Sequence, residues 1–147
     1  MNGTPLAALL LSLAAPALLA GETGARLQVS ATVLPRASAV QVGGEAELTL
    51  TAADVQSGAK EITAVYEVRS NTRRGYALAF AQGSALAESV EVLIAGTSAT
   101  LNGEPVAISF MDPAPRSTVA VRFFLRLRAG LEPGRYALPV TVQAEPI

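Results

Sequence analysis

Apolar and polar residues alternate with a period of two through most of the chain after residue 26. In such a run one set of side chains faces a core and the other faces water, so each run predicts a half-buried β-strand. Helical periodicity is weak, and only Gln82–Glu88 predicts a single helical turn. The strand-like runs are 27–33, 46–51, 61–68, 76–80, 89–94, 98–101, 106–110, 119–127 and 136–142.

Glycine, proline and asparagine fall between these runs, where the chain must reverse. Asn102-Gly103 favours the positive φ angles of a tight hairpin turn, so 98–101 and 106–110 are predicted to pair. Pro139 cannot donate a ladder hydrogen bond, which predicts that the last strand lies at an edge. The spacing predicts an all-β fold, an immunoglobulin-like antiparallel β-sandwich of roughly seven to nine strands, and favours it over a closed barrel.

The N-terminal stretch has a different pattern, because Leu6–Leu19 is apolar on all sides and is broken only by Ser12 and Pro16. It is short for a helix that must span a hydrocarbon core of about 30 Å, and it has the length of the apolar region of a secretory signal peptide. We therefore predict a signal peptide at 1–20 and a single β-sandwich domain at 21–147. The alternative is a buried N-terminal helix of a cytosolic domain.

Composition argues against catalytic and metal chemistry. The chain has no cysteine and no histidine, so it lacks disulfides, thiolate nucleophiles and imidazole bases. Its lysine, Lys60, lies in a predicted turn, and its carboxylates are scattered over turns and polar strand faces. We therefore predict a protein that is not an enzyme, with no catalytic residues, no cofactor and no metal site. The net charge of −1 gives no reason to expect a nucleic-acid partner.

One predicted strand carries a row of arginines. In the run Thr118–Arg128 the odd-numbered apolar residues would face the core, and the large side chains left on the solvent face are Arg122, Phe124, Arg126 and Arg128. This row is a candidate surface for an anionic glycan or for the acidic face of a protein partner. The alternative is a solvated face on which the arginines pair with glutamates of neighbouring strands, namely Glu61, Glu67 or Glu91.

The segment after the predicted leader is a second candidate for partner binding. Gly21–Arg26 would form a loose extension, and the run that follows has the alternating apolar residues Leu27, Val29, Ala31 and Val33. Such a segment can fill a groove in another subunit by strand addition. The alternative is that 27–33 is the first strand of its own sandwich.

Three stretches resemble a family of bacterial surface proteins. Asn71–Leu78 is similar to the Asn…Gly-aromatic-x-Leu strand start of bacterial surface sandwiches. Pro133–Val142 is similar to the final strand of fimbrial and spore-coat-U-like proteins, and Leu27–Val33 is similar to the first strand of that family. The resemblance implies an immunoglobulin-like subunit that is exported to the periplasm and assembled into a surface fibre by strand exchange.

These features lead to two functional hypotheses. The first is an exported structural or adhesive subunit of a fimbria-like cell-surface assembly, whose partners are other subunits or a periplasmic chaperone. The second is a monomeric periplasmic module that recognises a glycan or a protein through the Arg122–Arg128 strand face. Both hypotheses place the protein in the periplasm or at the cell surface, with no membrane span in the mature chain and no nucleic-acid partner.

Overall fold

The computed structural model describes residues 28–111 and 113–147. The predicted leader 1–20, the extension 21–26 and Leu27 lie outside the described residues, so what was predicted for them stays a prediction. The chain divides into two units between Thr32 and Val33, and the second, Val33–Ile147, is compact. In the first unit, residues 28–32 carry no regular secondary structure and are exposed.

The second unit is an antiparallel β-sandwich, which confirms the predicted all-β class. Its described residues form ten strands and one short helix. In chain order these are β1 (Ala37–Gly44), β2 (Glu47–Leu50), α1 (Ala52–Ser57), β3 (Ala59–Ser70), β4 (Gly75–Gln82), β5 (Ala87–Ile94), β6 (Thr97–Leu101), β7 (Val106–Met111), β8 (Arg116–Leu127), β9 (Gly134–Ala137) and β10 (Val140–Pro146).

The strands form three hydrogen-bonded sheets. A five-stranded sheet has the order β1-β3-β8-β5-β6, a three-stranded sheet has the order β10-β4-β7, and β2 pairs with β9. Phe80 of β4 packs edge-on against Phe123 of β8, with ring centroids 6.2 Å apart, and so joins the two larger sheets. Around this contact a single apolar core receives side chains from all three sheets.

The period-two alternation of the sequence becomes the inner and outer faces of the sandwich. In β8, Val121, Phe123, Leu125 and Leu127 are buried, whereas Arg122 and Arg126 between them are exposed. The same alternation buries the inward residues of β3 and β4. Burial of these side chains is the main favourable term in forming the fold, because it removes their apolar surface from water.

The first strand in the described residues begins at Ala37. Residues 28–36 carry no strand, so the alternative in which 27–33 supplies the first strand of its own sandwich is wrong for its described residues. The sequence pattern was misleading here because the large residues of β1, Val40 and Val42, point outward and are 61% and 57% exposed. Its inward positions are the small residues Ala37 and Ala39, which pack against the core.

The predicted hairpin at Asn102-Gly103 is also wrong. The chain turns there, but β6 pairs with β5 in the five-stranded sheet, and β7 pairs with β4 in the three-stranded sheet. Pro105 restricts Glu104 to an extended conformation and cannot donate to a ladder. The connection therefore carries the chain from one sheet to the other instead of folding it back.

The helical turn predicted at Gln82–Glu88 does not form. Residues 83–86 connect β4 to β5, and the Gln82 side chain bridges this connection by donating to the Ala87 carbonyl at 2.6 Å. The predicted last strand is divided at Leu138-Pro139 between β9 and β10. The position of β10 at the edge of its sheet confirms the inference drawn from Pro139.

Helix α1 forms instead, between β2 and β3, because its first turn is well capped. The Thr51 hydroxyl accepts from the Asp54 N–H, and the Asp54 carboxylate accepts from the Thr51 N–H at 2.8 Å. Lys60 donates to the same carboxylate at 3.0 Å and lies at the start of β3, not in a solvated turn. The hydrogen bonds from the Thr51 backbone and hydroxyl, followed by that from Lys60, lower the pKa of Asp54 to about 2.

Phe80 is 0% exposed, and its substitution tests the contact that joins the two larger sheets. We expect Phe80→Ala to lower the free energy of unfolding by about 3–5 kcal/mol, because the lost ring leaves a cavity that the strands cannot fill. Urea unfolding followed by circular dichroism measures the change. Met111→Ala, at a side chain that is 69% exposed, is the control and should change stability by less than about 0.5 kcal/mol. Equal losses of unfolding free energy in the two variants would contradict the position of Phe80 in the core.

Candidate functional site

The five-stranded sheet presents the predicted arginine row on its solvent face. Arg122 and Arg126 are exposed, and Phe124 between them is partly buried. The Arg122 guanidinium lies 5.9 Å from the centroid of the Phe124 ring, within the range of a cation–π contact. Arg128 follows the end of β8, and its backbone N–H donates to the Leu86 carbonyl at 3.0 Å. The structure therefore places Arg122, Phe124 and Arg126 in one row, with Arg128 at its end.

Carboxylates from neighbouring strands compensate this row. Arg122 Nη1 lies 3.9 Å from Glu61 Oε1 of β3, and Arg126 Nε lies 3.9 Å from Glu88 Oε2 of β5. Phe124 lies opposite Glu61 of β3 on one side of β8 and opposite Glu91 of β5 on the other side. These exposed ion pairs stabilise the fold little, but they remove most of the excess positive charge that an anionic ligand would need. Whether this face binds a partner stays a prediction.

A second charge cluster lies on the same face, where β8 begins. Glu67 Oε1 accepts from Arg69 Nε at 2.7 Å, and Glu67 Oε2 accepts from the Arg116 guanidinium. Arg69 and Arg116 lie directly opposite each other on β3 and β8. The hydrogen bond from Arg116, followed by that from Arg69, lowers the pKa of Glu67. Sequence analysis considered Glu67 only as a partner of the arginine row, although its i, i+2 spacing from Arg69 places both on one strand face.

The alternating N-terminal segment is exposed as far as it is described. Val29 and Val33 are 78% and 77% exposed, and Ala31 is exposed as well. Leu27, the remaining member of the predicted set, lies outside the described residues. Large apolar side chains that project into water at alternate positions are typical of a segment that can pair with a sheet edge of another molecule.

Two unpaired strand edges lie side by side in the second unit. β1 is the last strand of the five-stranded sheet, and β10 is the last strand of the three-stranded sheet. Their Cα atoms approach within 8 Å, yet no ladder joins these two strands. We call these two edges the β1–β10 seam. The partly buried apolar side chains along it are mostly small, namely Ala37, Ala39, Val142 and Ala144.

Neither a metal centre nor a membrane helix occurs in the ranges 28–111 and 113–147. No group of three or more potential side-chain ligands is placed to hold a metal ion there. No helix there is both long enough and apolar enough to cross a bilayer.

The structure therefore defines an all-β sandwich with a charge-compensated strand face and an unpaired seam between two sheet edges. Comparisons with protein-family models, with curated proteins and with solved structures find no match to this chain. The similarity to fimbrial and spore-coat-U-like proteins accordingly rests on the three short stretches that carry it.

The Glu67 cluster predicts a pH dependence of stability. Because folding lowers the pKa of Glu67, its carboxylate stabilises the fold above the ordinary value of 4.5, and the contribution is lost as the pH falls through the lower folded-state pKa. We expect Glu67→Gln to unfold at a lower urea concentration than the parent at about pH 7, and the difference to shrink towards about pH 3.

Glu91→Gln is the control for this prediction, because it removes a carboxylate from the same face that forms no ion pair with another described residue. Its urea midpoint should follow that of the parent at both pH values. Identical midpoints for the parent and Glu67→Gln at neutral pH would contradict a stabilising role for the cluster.

Proposed function

We propose that this protein is an exported, non-catalytic structural or adhesive subunit of a bacterial cell-surface assembly, and that its copies join by strand addition at the β1–β10 seam. The added strand is the alternating segment 27–33 of a neighbouring copy. The observation that carries the proposal is that one chain contains both an unpaired seam and an exposed apolar segment with no strand of its own.

The seam offers backbone groups for an added strand to pair with. Among the described residues, β1 forms a ladder only with β3, and β10 forms a ladder only with β4. Each therefore has a row of N–H and C=O groups along its outer edge that no ladder satisfies. An added strand can bond to these groups while its alternate side chains enter the space between the sheets.

The segment has the side chains that this space requires. Val29, Ala31 and Val33 occupy alternate positions and so share one side of an extended strand. Three of the four partly buried residues along the seam are alanines, so the added strand would supply the larger apolar side chains. Burial of each valine would contribute about 1.5–3 kcal/mol, a gain that the exposed segment cannot have on its own.

The seam has to widen if the added strand is to pair on both sides. Neighbouring strands lie about 4.8 Å apart, so an inserted strand holds its two neighbours about 10 Å apart. The Cα atoms of β1 and β10 now approach within 8 Å. β1 is the strand that would have to shift, because within the described residues it is held by a single ladder, which is irregular between Gln41 and Gly43.

The apolar stretch Leu6–Leu19 supports export to the periplasm or the cell surface. The similarity of three stretches to fimbrial and spore-coat-U-like proteins supports assembly with other subunits, helped by a periplasmic chaperone. A monomeric glycan-binding module that uses the Arg122–Arg128 face has less support, because Glu61 and Glu88 compensate two of its arginines.

Strand addition predicts that protein purified from a bacterial periplasm forms polymers that survive an unheated gel and dissociate on heating. We expect Val29→Ser combined with Val33→Ser to abolish these polymers, because the added strand loses its large buried side chains. The urea midpoint of the sandwich should not change, since both side chains are exposed in the single chain. Light scattering after size exclusion measures the mass.

Gln28→Ser combined with Thr32→Ser is the matched control, because it alters the opposite side of the same segment and should leave polymers intact. A synthetic peptide of residues 27–33 should bind the valine double variant, whose seam is unchanged. Persistent polymers in that variant would overturn the proposal. A parent protein that is a sharply melting monomer would also overturn it and would favour the binding module.

A further inference from the structure

The arginines are distributed unevenly over the sandwich. Five of the nine arginines in the described ranges lie at the end where β1, β4 and β8 begin, namely Arg36, Arg69, Arg73, Arg74 and Arg116. The described carboxylates near this end are Glu67 and Glu145. Among the side chains of residues 28–111 and 113–147, positive ones are therefore in excess at this end, although the whole chain has a net charge of −1.

A cavity of about 670 Å³ opens at this end, between the start of β1 and the end of β3. Its lining supplies guanidinium, hydroxyl and amide groups but no carboxylate and no aromatic ring. The residues are Arg36, Ala37, Ser38, Arg69, Ser70, Asn71 and Pro115. The two guanidinium groups, of Arg36 and Arg69, are the part of this lining that could bind an anion, and Arg73, Arg74 and Arg116 lie outside it.

Hydrogen bonds hold the backbone around Arg36 and in the β3–β4 connection, which contains Arg73 and Arg74. Asn71 Oδ1 accepts from the Arg36 N–H at 2.6 Å, and Asn71 Nδ2 donates to the Leu34 carbonyl at 2.9 Å. The Thr72 hydroxyl donates to the Gly75 carbonyl at 2.7 Å and closes the β3–β4 connection. A binding surface that is ordered in advance loses less entropy when its ligand arrives.

The charges at this end are only partly compensated. Glu67 bonds to both Arg69 and Arg116, so one negative charge serves two positive ones. Arg36, Arg73 and Arg74 form no ion pair with any residue in 28–111 or 113–147. Arginine binds sulfate and carboxylate groups through paired N–H donors, which makes such a cluster a recognition surface for repeated anionic groups.

We propose that this end of the sandwich binds an acidic polysaccharide through Arg36, Arg73 and Arg74, with Arg69 and Arg116 beside them. A single-stranded nucleic acid fits less well, because the cavity has no aromatic side chain on which bases could stack. An anionic membrane also fits less well, because no large apolar side chain lines the cavity. The site goes beyond strand addition, since Arg73, Arg74 and Arg116 lie outside both strands of the seam.

Heparin binding by the full chain, measured by isothermal titration calorimetry at several salt concentrations, tests this site. We expect the triple variant Arg36→Gln, Arg73→Gln, Arg74→Gln to bind on the order of tenfold more weakly, with a shallower salt dependence, because three ionic contacts and their released counterions are lost. The matched control is Arg122→Gln, Arg126→Gln, Arg128→Gln. This control variant has the same net charge as the first triple variant, and its affinity for heparin should differ from that of the parent by less than about twofold.

Equal weakening in the two triple variants would show that overall charge drives binding, and would overturn the proposal. A larger loss in the strand-face variant would move the site to Arg122–Arg128. If a single-stranded oligonucleotide or vesicles of anionic phospholipid bind as tightly as heparin and are equally sensitive to the first variant, the ligand class is wrong. Neutral dextran should not bind. Polymer formation on the unheated gel is a separate readout, so failure here leaves strand addition untouched.

Discussion

The ladder between β3 and β8 is the constraint on which the other parts of the sandwich depend. It runs from Ala59 opposite Arg126 to Arg69 opposite Arg116, and it joins the two strands at the centre of the five-stranded sheet. Because side chains alternate along a strand, this register fixes which residues reach the core. A shift of one strand by a single residue would bring Arg122 inward and turn Phe123 out of its contact with Phe80.

The same register also sets the electrostatics of the surface. Strand residues that face outward have cross-strand neighbours at fixed distances, and these neighbours include Glu61 for Arg122 and Arg116 for Arg69. Arg116, Arg122 and Arg126 therefore acquire carboxylate partners on neighbouring strands as a consequence of pairing. Arg73 and Arg74 lie in a connection, where no ladder brings a partner beside them. Of the five arginines that form no ion pair within the described ranges, three, Arg36, Arg73 and Arg74, accordingly lie at the end of the sandwich where β1, β4 and β8 begin.

Local alternation was sufficient to predict most strands, because the inward residues of β3, β4 and β8 are large and apolar. β1 was not predicted because its less exposed positions hold alanine, glutamine and glycine, and its valines point outward. The pairing of β6 was predicted wrongly because sheet membership depends on contacts far apart in the chain. Helix α1 is too short for periodicity to reveal it, although Thr51 and Asp54 have the spacing of a capping pair.

For the arginine row on β8, the sequence was enough to predict which residues lie on the solvent face. It was not enough to predict which carboxylates neutralise them. The sequence placed Arg122, Phe124 and Arg126 on one outward face, and the β8 register bears out this placement. It did not reveal that Glu88 would reach Arg126, because Glu88 lies at an irregularity of β5 between Ala87 and Ser89. Such irregularities change which side chains are neighbours, and they depend on the partner strand as much as on the local sequence.

The path of the chain around the seam explains why β1 and β10 do not simply pair with each other. At Gly44, with φ at +84°, the chain leaves β3 so closely that a Cβ atom would lie 2.2 Å from the Thr63 carbonyl oxygen. Only glycine fits there, and beyond it β2 pairs with β9. The β2–β9 ladder closes one end of the seam, while β1 remains committed to β3. The seam therefore extends from this ladder to the end of the sandwich where β1 begins and β10 ends. Its length is limited by the eight residues of β1 and the seven of β10, which matches the segment proposed to fill it.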